Sequence, residues 1–243
     1  MPSVSRSHPI LPVPEAHVPG GRSHLAAAQN PDERFDIVTA CGVPTGQVKR
    51  RADVHRDGDW HRSIHVWIYG LDAAGPFLLF QRRGFDKDTW PGMLDATAAG
   101  HLSSGESVRD AFREIEEELG IRPDPALLQH IGTRICANEQ PPATVDRELQ
   151  EVFFLRDDDP LDSFFPNAVE VDALVRLPLV DTLEFLGGFA PSVDGEVLLA
   201  GDRRREAVTV TAESFVSTSI DSYYYRVAIA IAAVIRGDRY IAV

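Results

Sequence analysis

Apolar and polar positions follow two different rhythms along this chain. From Phe35, the stretch FDIVTACGVPTGQVKR reads as two short strands around a Gly/Pro turn. HRSIHVWIYG is β-branched and aromatic, and PFLLFQRR is a second apolar run. Both read as strands, with LDAAG as the turn between them. LLQHIGTRICA and ELQEVFFLR supply two more strands. Residues 168–187 read as a strand followed by a helix, and EAVTVTAESFVS as a strand or a helix start. SYYYRVAIAIAAVIRG reads as a C-terminal helix stopped by Gly237. Strands outnumber helices and alternate with them, which predicts a mixed sheet covered by helices. Ahead of all this lies a Pro-rich segment, residues 1–33, expected to be an extended arm. Its histidines, His8, His17 and His24, fit no metal motif.

The remaining stretch reads as a loop, GFDKDTWPGMLDATAAGHLSSGE, followed by SVRDAFREIEEELGI, which has the helical rhythm and begins near Ser107. Ser107 and Asp110 fit a capping box, and Gly120 fits a C-terminal stop. At roughly 100° per residue, Val108, Ala111, Phe112, Ile115 and Leu119 form one core-facing stripe. Glu114, Glu117 and Glu118 converge on one edge of that stripe, and Glu116 faces away. Like charges at this spacing repel by about 0.2–0.5 kcal/mol per pair. The edge is therefore either a solvated face, softened by Arg113, or the oxygen-rich set that a hard divalent cation takes.

Composition narrows the choice of partner. The formal net charge is −13 over 243 residues, which argues against nucleic-acid duplexes and anionic membranes. A small anionic substrate stays open, because a metal or a few local Arg and Lys can supply positive charge. The longest apolar run, Val227–Ile235, is far short of the roughly 20 residues that span a bilayer. No basic, then apolar, leader opens the chain, so the expected location is cytoplasmic. Cys41 and Cys136 make neither a disulfide framework nor a metal-ligand spacing.

Gly100, Glu106, Arg113, Glu114, Ile115, Glu117, Glu118, Gly120 and Ile121 fill the fixed positions of the pattern G-x5-E-x7-R-E-U-x-E-E-x-G-U, where U is a bulky aliphatic. In this respect the chain resembles the Nudix family. Six residues instead of seven separate Glu106 from Arg113, which leaves the helical glutamates in register and bears on Glu106. The resemblance implies an α/β fold, the Nudix α/β/α sandwich with a mixed β-sheet, here with an N-terminal arm and a C-terminal helical extension. It implies Mg²⁺ or Mn²⁺ as cofactor and cleavage of a diphosphate linkage in a small organic or nucleoside diphosphate. Glu114, Glu117, Glu118 and Glu106, with Gly100, would form the metal set, and Arg113 would hold a glutamate by a salt bridge.

Upstream, QRRGFDKDTWPGMLDATAAGH resembles the Nudix branch close to isopentenyl diphosphate isomerase, over residues 33–185. By that resemblance Arg83 and Lys87 would grip the diphosphate, and His55, His61 and His101 would form an accessory metal site. Glu151 would be the water-activating base, with Glu117 as the alternative. The isomerase carries a cysteine just before its Gly-His pair. Here that residue is Ala99, which favours hydrolysis. An isomerase working without the cysteine and a catalytically silent sensor domain remain as alternatives. The expected organisation is an arm (1–33), a Nudix domain (34–187) and an extension packing on it (188–243), with room for a homodimer.

Overall fold

A long strand, β3 (Trp60–Asp72), organises the molecule. The computed structural model describes residues 8–12, 30, 32–87, 89–140, 144–216 and 221–243. Most of the Pro-rich arm, including His17 and His24, lies outside the described residues. Ahead of β3, β1 (Arg34–Val38) and β2 (Pro44–Arg50) pair antiparallel and lead into α1 (Arg51–Asp57). After it come β4 (Gly75–Arg83), β5 (Leu94–Asp95), β6 (Ala98–His101) and α2 (Arg113–Leu119). Then follow β7 (Gln129–Gln140), β8 (Thr144–Arg156), β9 (Val171–Pro178) and α3 (Leu179–Leu186). The chain closes with β10 (Ser192–Leu199), β11 (Arg205–Thr211) and α4 (Tyr223–Arg236).

The main sheet runs β11-β10-β9-β4-β3-β8-β7, with β5 against β4 and β6 against β3. Only the β3–β8 pair is parallel among its described pairings, which makes the sheet mixed. Alternation along β3 sends its side chains to two faces. Ile64, Val66 and Ile68 meet Ala111, Ile115 and Leu119 around α2. Trp67 and Tyr69 join Phe185 of α3 and Tyr223, Tyr224, Val227 and Ile231 of α4. The result is the expected α/β/α sandwich.

Helix α2 has seven residues, too few to hold itself in water, where roughly 12–15 are needed. Burial of Ile115 and Leu119, worth about 1.5–3 kcal/mol each, anchors it. Its entry is a 3₁₀ turn over Asp110–Phe112. The Ser107 backbone N–H and hydroxyl both donate to the Asp110 carboxylate, at 2.8 and 2.7 Å. Gly120 ends the helix in the left-handed region, φ 68°.

Four elements escape the sequence reading: β5 and β6, which lie in a stretch expected to be loop, β10 and α1. SVDGEVLL forms β10, although its Asp-Gly pair signals a turn; pairing with β9 and β11 overrides that signal. RADVHRD forms α1, whose only buried apolar residue is Val54. The β10–β11 hairpin extends the main sheet, so the segment after residue 187 contributes strands as well as the expected helix. Part of the arm packs as well. Leu11 N–H donates to the Thr209 carbonyl at 2.8 Å, and Thr209 N–H donates to the Pro9 carbonyl at 2.9 Å. Leu11 is buried, and the outer edge of β11 is covered there. Among the described residues no helix is long and apolar enough to cross a membrane.

Candidate active site

Helix α2 and strand β6 meet at Gly100. A Cβ at Gly100 would lie 2.2 Å from the Glu114 carboxyl carbon, so only glycine lets that side chain cross β6. Beyond it opens a cavity of about 420 Å³, whose lining includes Arg83, Lys87, Gly100, Glu114 and Glu117. Glu114 is paired with Arg113, which also grips Glu106 at 3.1 and 3.2 Å. Glu118 is 1% exposed and accepts from Ala99 N–H at 3.0 Å and from Gln81 at 3.3 Å. Lys87 lies 3.1 Å from Glu170 and 3.6 Å from Glu118. Arg83 donates to the Thr89 carbonyl at 3.0 Å and to its hydroxyl at 3.1 Å, and lies 3.5 Å from Asp95.

Burial, then repulsion from Glu118, raises the Glu114 pKa to about 8. Burial raises that of Glu118 to about 7. Two carboxyls that resist ionisation side by side need positive charge. Their hard oxygens fit Mg²⁺ or Mn²⁺. Glu117, half exposed, faces the same cavity, while Glu116 turns out to Arg122. The angular sorting of the four glutamates is thus what the helix displays.

A second cluster adjoins the first. His55 on α1, His61 on β3, His101 on β6 and Asp146 on β8 each bring a ligand atom within 4.8 Å of the others. Phe35 stacks on His61 at 5.2 Å and on His101 at 4.8 Å, fixing both rings. His55 Nε2, His61 Nε2 and Asp146 Oδ1 are buried without a hydrogen-bond partner. Burial pulls the His55 pKa down to about 3 and that of His61 below the ordinary range. These are neutral imidazoles with free lone pairs, a donor set that suits a transition metal such as Mn²⁺ or Zn²⁺. His101 is differently committed: its Nδ1 lies 2.9 Å from Arg51 and its Nε2 lies 3.0 Å from Glu148. Burial disfavours charge on Glu148, yet the His101 hydrogen bond and the neighbouring histidines hold it well below the carboxylate range.

Two expected site residues do not line the cavity that holds Glu114 and Glu117. Glu151 lies on the α2 face of β8, away from the cavity. Its carboxylate is taken by Arg62 at 2.5 Å, His130 at 2.9 Å and Thr133 at 3.0 Å. Strand parity is the reason: Asp146, Glu148 and Gln150 point into the cavity, so Glu151 points out. Glu148, which sequence reasoning missed, accepts from Ser63 and Gln150 at 2.7 Å each. Counting alternate positions along ELQEV was the signal that could have found it. Glu106 is the second such residue. It accepts from Ser103 N–H at 2.7 Å and from Arg113, and it lines a separate cavity of about 270 Å³. Its carboxylate is engaged by Arg113 and the Ser103 backbone, away from the cavity that Glu114 and Glu117 line. The short spacer falls in the loop and 3₁₀ turn before α2, which is why the helical glutamates keep their register.

Residues 59–184 match the family model of the NUDIX domain, and the chain belongs to the Nudix family. It is 35% identical over 193 residues to Nudix hydrolase 3 of Arabidopsis thaliana, covering 75% of this chain and 25% of that protein. The chain thus spans about a quarter of that relative's length. It is 34% identical over 157 residues to an uncharacterized Nudix hydrolase of Clostridium acetobutylicum, covering 65% of this chain and 76% of the relative. It is also 33% identical over 125 residues to an isopentenyl-diphosphate Delta-isomerase of Escherichia coli strain K12, covering 51% and 66%.

Proposed function

We propose that this chain is a metal-dependent Nudix hydrolase that cleaves a diphosphate linkage in a small organic or nucleoside diphosphate. The observation that carries this reading is one cavity faced by the carboxylates of Glu114 and Glu117 and by the cations of Arg83 and Lys87. Arg83 binds the diphosphate with a planar fork, and Lys87 with a point charge. Glu117, the most open of the edge carboxylates, takes the proton of the attacking water. Arg113 keeps Glu114 oriented, with Glu106 behind it. Mg²⁺ or Mn²⁺, held by Glu114, Glu117, Glu118 and the Gly100 carbonyl, would neutralise charge developing on the phosphoryl oxygens. An accessory ion would be held by His55, His61 and Asp146, with His101 joining them on releasing Arg51 or Glu148.

Isomerase chemistry is disfavoured by the groups present. Ala99 lines the cavity with nothing to ionise, and burial pushes the Cys136 thiol up to about 12. A panel of nucleotide sugars, dinucleotides, thiamine-type diphosphates and isoprenoid diphosphates, each with Mg²⁺ or Mn²⁺, tests the reading. Metal-dependent cleavage at the diphosphate is the expected result. Binding without turnover across the panel would favour the sensor alternative. Conversion of isopentenyl diphosphate to its dimethylallyl isomer without hydrolysis would favour the isomerase. A cytoplasmic location and the division into a domain over 34–187 and an extension over 188–243 belong to the same proposal.

A further inference from the structure

The strand that bears Asp95 is held from both sides. β5 is two residues long, Leu94–Asp95, and β4 pairs with it through Gln81 and Arg82. On its other side lies the segment after β11. Leu94 bridges Phe215, and Val216 N–H donates to the Leu94 carbonyl at 3.0 Å. From α4, the Tyr224 hydroxyl donates to Asp95 Oδ1 at 3.0 Å. Asp95 Oδ1 also accepts from Ala96 N–H at 2.8 Å, and Asp95 Oδ2 lies 3.5 Å from Arg83 Nη1. Tyr224 is buried, and burial together with Asp95 keeps its hydroxyl protonated and able to donate. A relay therefore runs from α4, beyond the matched residues 59–184, through Asp95 to Arg83.

We propose that Asp95 and Tyr224 are positioning residues for phosphate recognition: the C-terminal segment sets the Arg83 guanidinium toward the diphosphate through the Tyr224–Asp95 hydrogen bond. Among the described residues the Arg83 guanidinium is otherwise tied to Thr89, in the loop between β4 and β5. Asp95 fixes the remaining arm of the guanidinium, and Tyr224 fixes the rotamer of Asp95. A buried tyrosine hydroxyl donating to a carboxylate is a charge-assisted hydrogen bond, stronger than a neutral one and more directional. The same segment grips a second cavity cation: Asp221 accepts from Arg134 Nε at 2.7 Å, and Arg134 lies 3.9 Å over the Tyr223 ring.

This inference rests on Arg83 being a phosphate ligand, part of the reading above, but not on the identity of the substrate or on turnover. Its test is binding of inorganic pyrophosphate to the full chain with Mg²⁺, by calorimetry, in a double-mutant cycle. Arg83→Ala is expected to weaken binding on the order of fiftyfold, as for loss of a charge-assisted anion contact. Tyr224→Phe should weaken it about fivefold in the wild-type background and not at all in the Arg83→Ala background, since coupled residues are non-additive. Asp95→Asn should behave like Tyr224→Phe. Melting temperatures of all variants are recorded alongside, because a merely structural role would lower them without moving the dissociation constant. Unchanged pyrophosphate binding in Tyr224→Phe and Asp95→Asn, with Arg83→Ala impaired, would overturn the relay and leave the hydrolase reading intact. Equal losses from Tyr224→Phe in both backgrounds would also overturn it, assigning Tyr224 a direct contact. No loss in Arg83→Ala would overturn relay and phosphate grip together.

Discussion

Two clusters capable of holding a cation share one cavity, and they are built in opposite ways. The acidic edge is contiguous: Glu114, Glu117 and Glu118 come from one short helix. The histidine centre is assembled from α1, β3, β6 and β8. In the first, buried carboxyls crowd together and their pKa values rise to about 8 and about 7. In the second, burial keeps imidazoles neutral, with His55 at about 3. One cluster resists ionisation and would gain from a cation. The other is electrically quiet and offers lone pairs. A hard ion suits the first and a transition metal the second.

The sharpest way to break this contrast is at Glu117. Glu117→Gln should lower kcat by about 10³-fold while the protein stays folded, the scale expected of a lost general base. Full activity with Mg²⁺ present would remove Glu117 from the mechanism. Next in size is Gly100→Ala. Its new Cβ would meet the Glu114 carboxyl carbon at 2.2 Å, so the carboxylate must leave its path across β6. We expect about tenfold weaker Mg²⁺ binding and a stability loss of about 1–3 kcal/mol. Normal metal affinity would mean that Glu114 does not need that path.

His61→Ala probes the other cluster. A Co²⁺ titration followed by absorbance should lose the histidine-type signal in this variant, while Mg²⁺ binding at the helix edge persists. Loss of both would show one joined site instead of two.

Without metal, pH should separate the clusters by sign. The folded Glu114 and Glu118 values lie above 4.5, so the fold retains protons that the unfolded chain releases. Their contribution to stability is full below pH 4.5 and is lost as pH rises through about 7 to about 8. His55 is shifted the other way, from 6.5 to about 3; its contribution is full above pH 6.5 and is lost as pH falls toward 3. Melting in chelator should therefore be highest between pH 4.5 and 6.5, and Mg²⁺ should restore the alkaline side by about 1–3 kcal/mol. A flat alkaline limb would mean that the edge carboxyls ionise freely. The smallest effect on rate is expected from Glu151→Gln, within about threefold of wild type, because Glu151 faces away from the cavity. A collapse in kcat without a change in melting would return Glu151 to the mechanism.

The legible parts of this molecule are local. The stripe and edge of α2 follow from helical angles alone, and Ile115, Leu119 and Glu116 sit where those angles put them. The apolar runs that form β3, β4, β7, β8 and β9 were equally plain. Harder were positions whose meaning depends on which face of a strand is buried. Glu151 and Glu148 are three residues apart in one strand, and only the pairing of β8 with β3 decides which one enters the cavity. The hairpin β10–β11 was obscured by an Asp-Gly pair that its neighbours in the sheet overrule.

By itself the sequence determined the family, the acidic helix edge and the absence of a cysteine ahead of the Gly-His pair, where Ala99 stands, because each depends on residue identity at short, fixed spacing. Only the tertiary structure decided that Asp146 joins His55, His61 and His101, that Glu106 supports Arg113, and that Tyr224 reaches Asp95. Those contacts join residues far apart in the chain, or turn on side-chain direction. They come about through sheet register and through burial that leaves polar atoms few alternative partners.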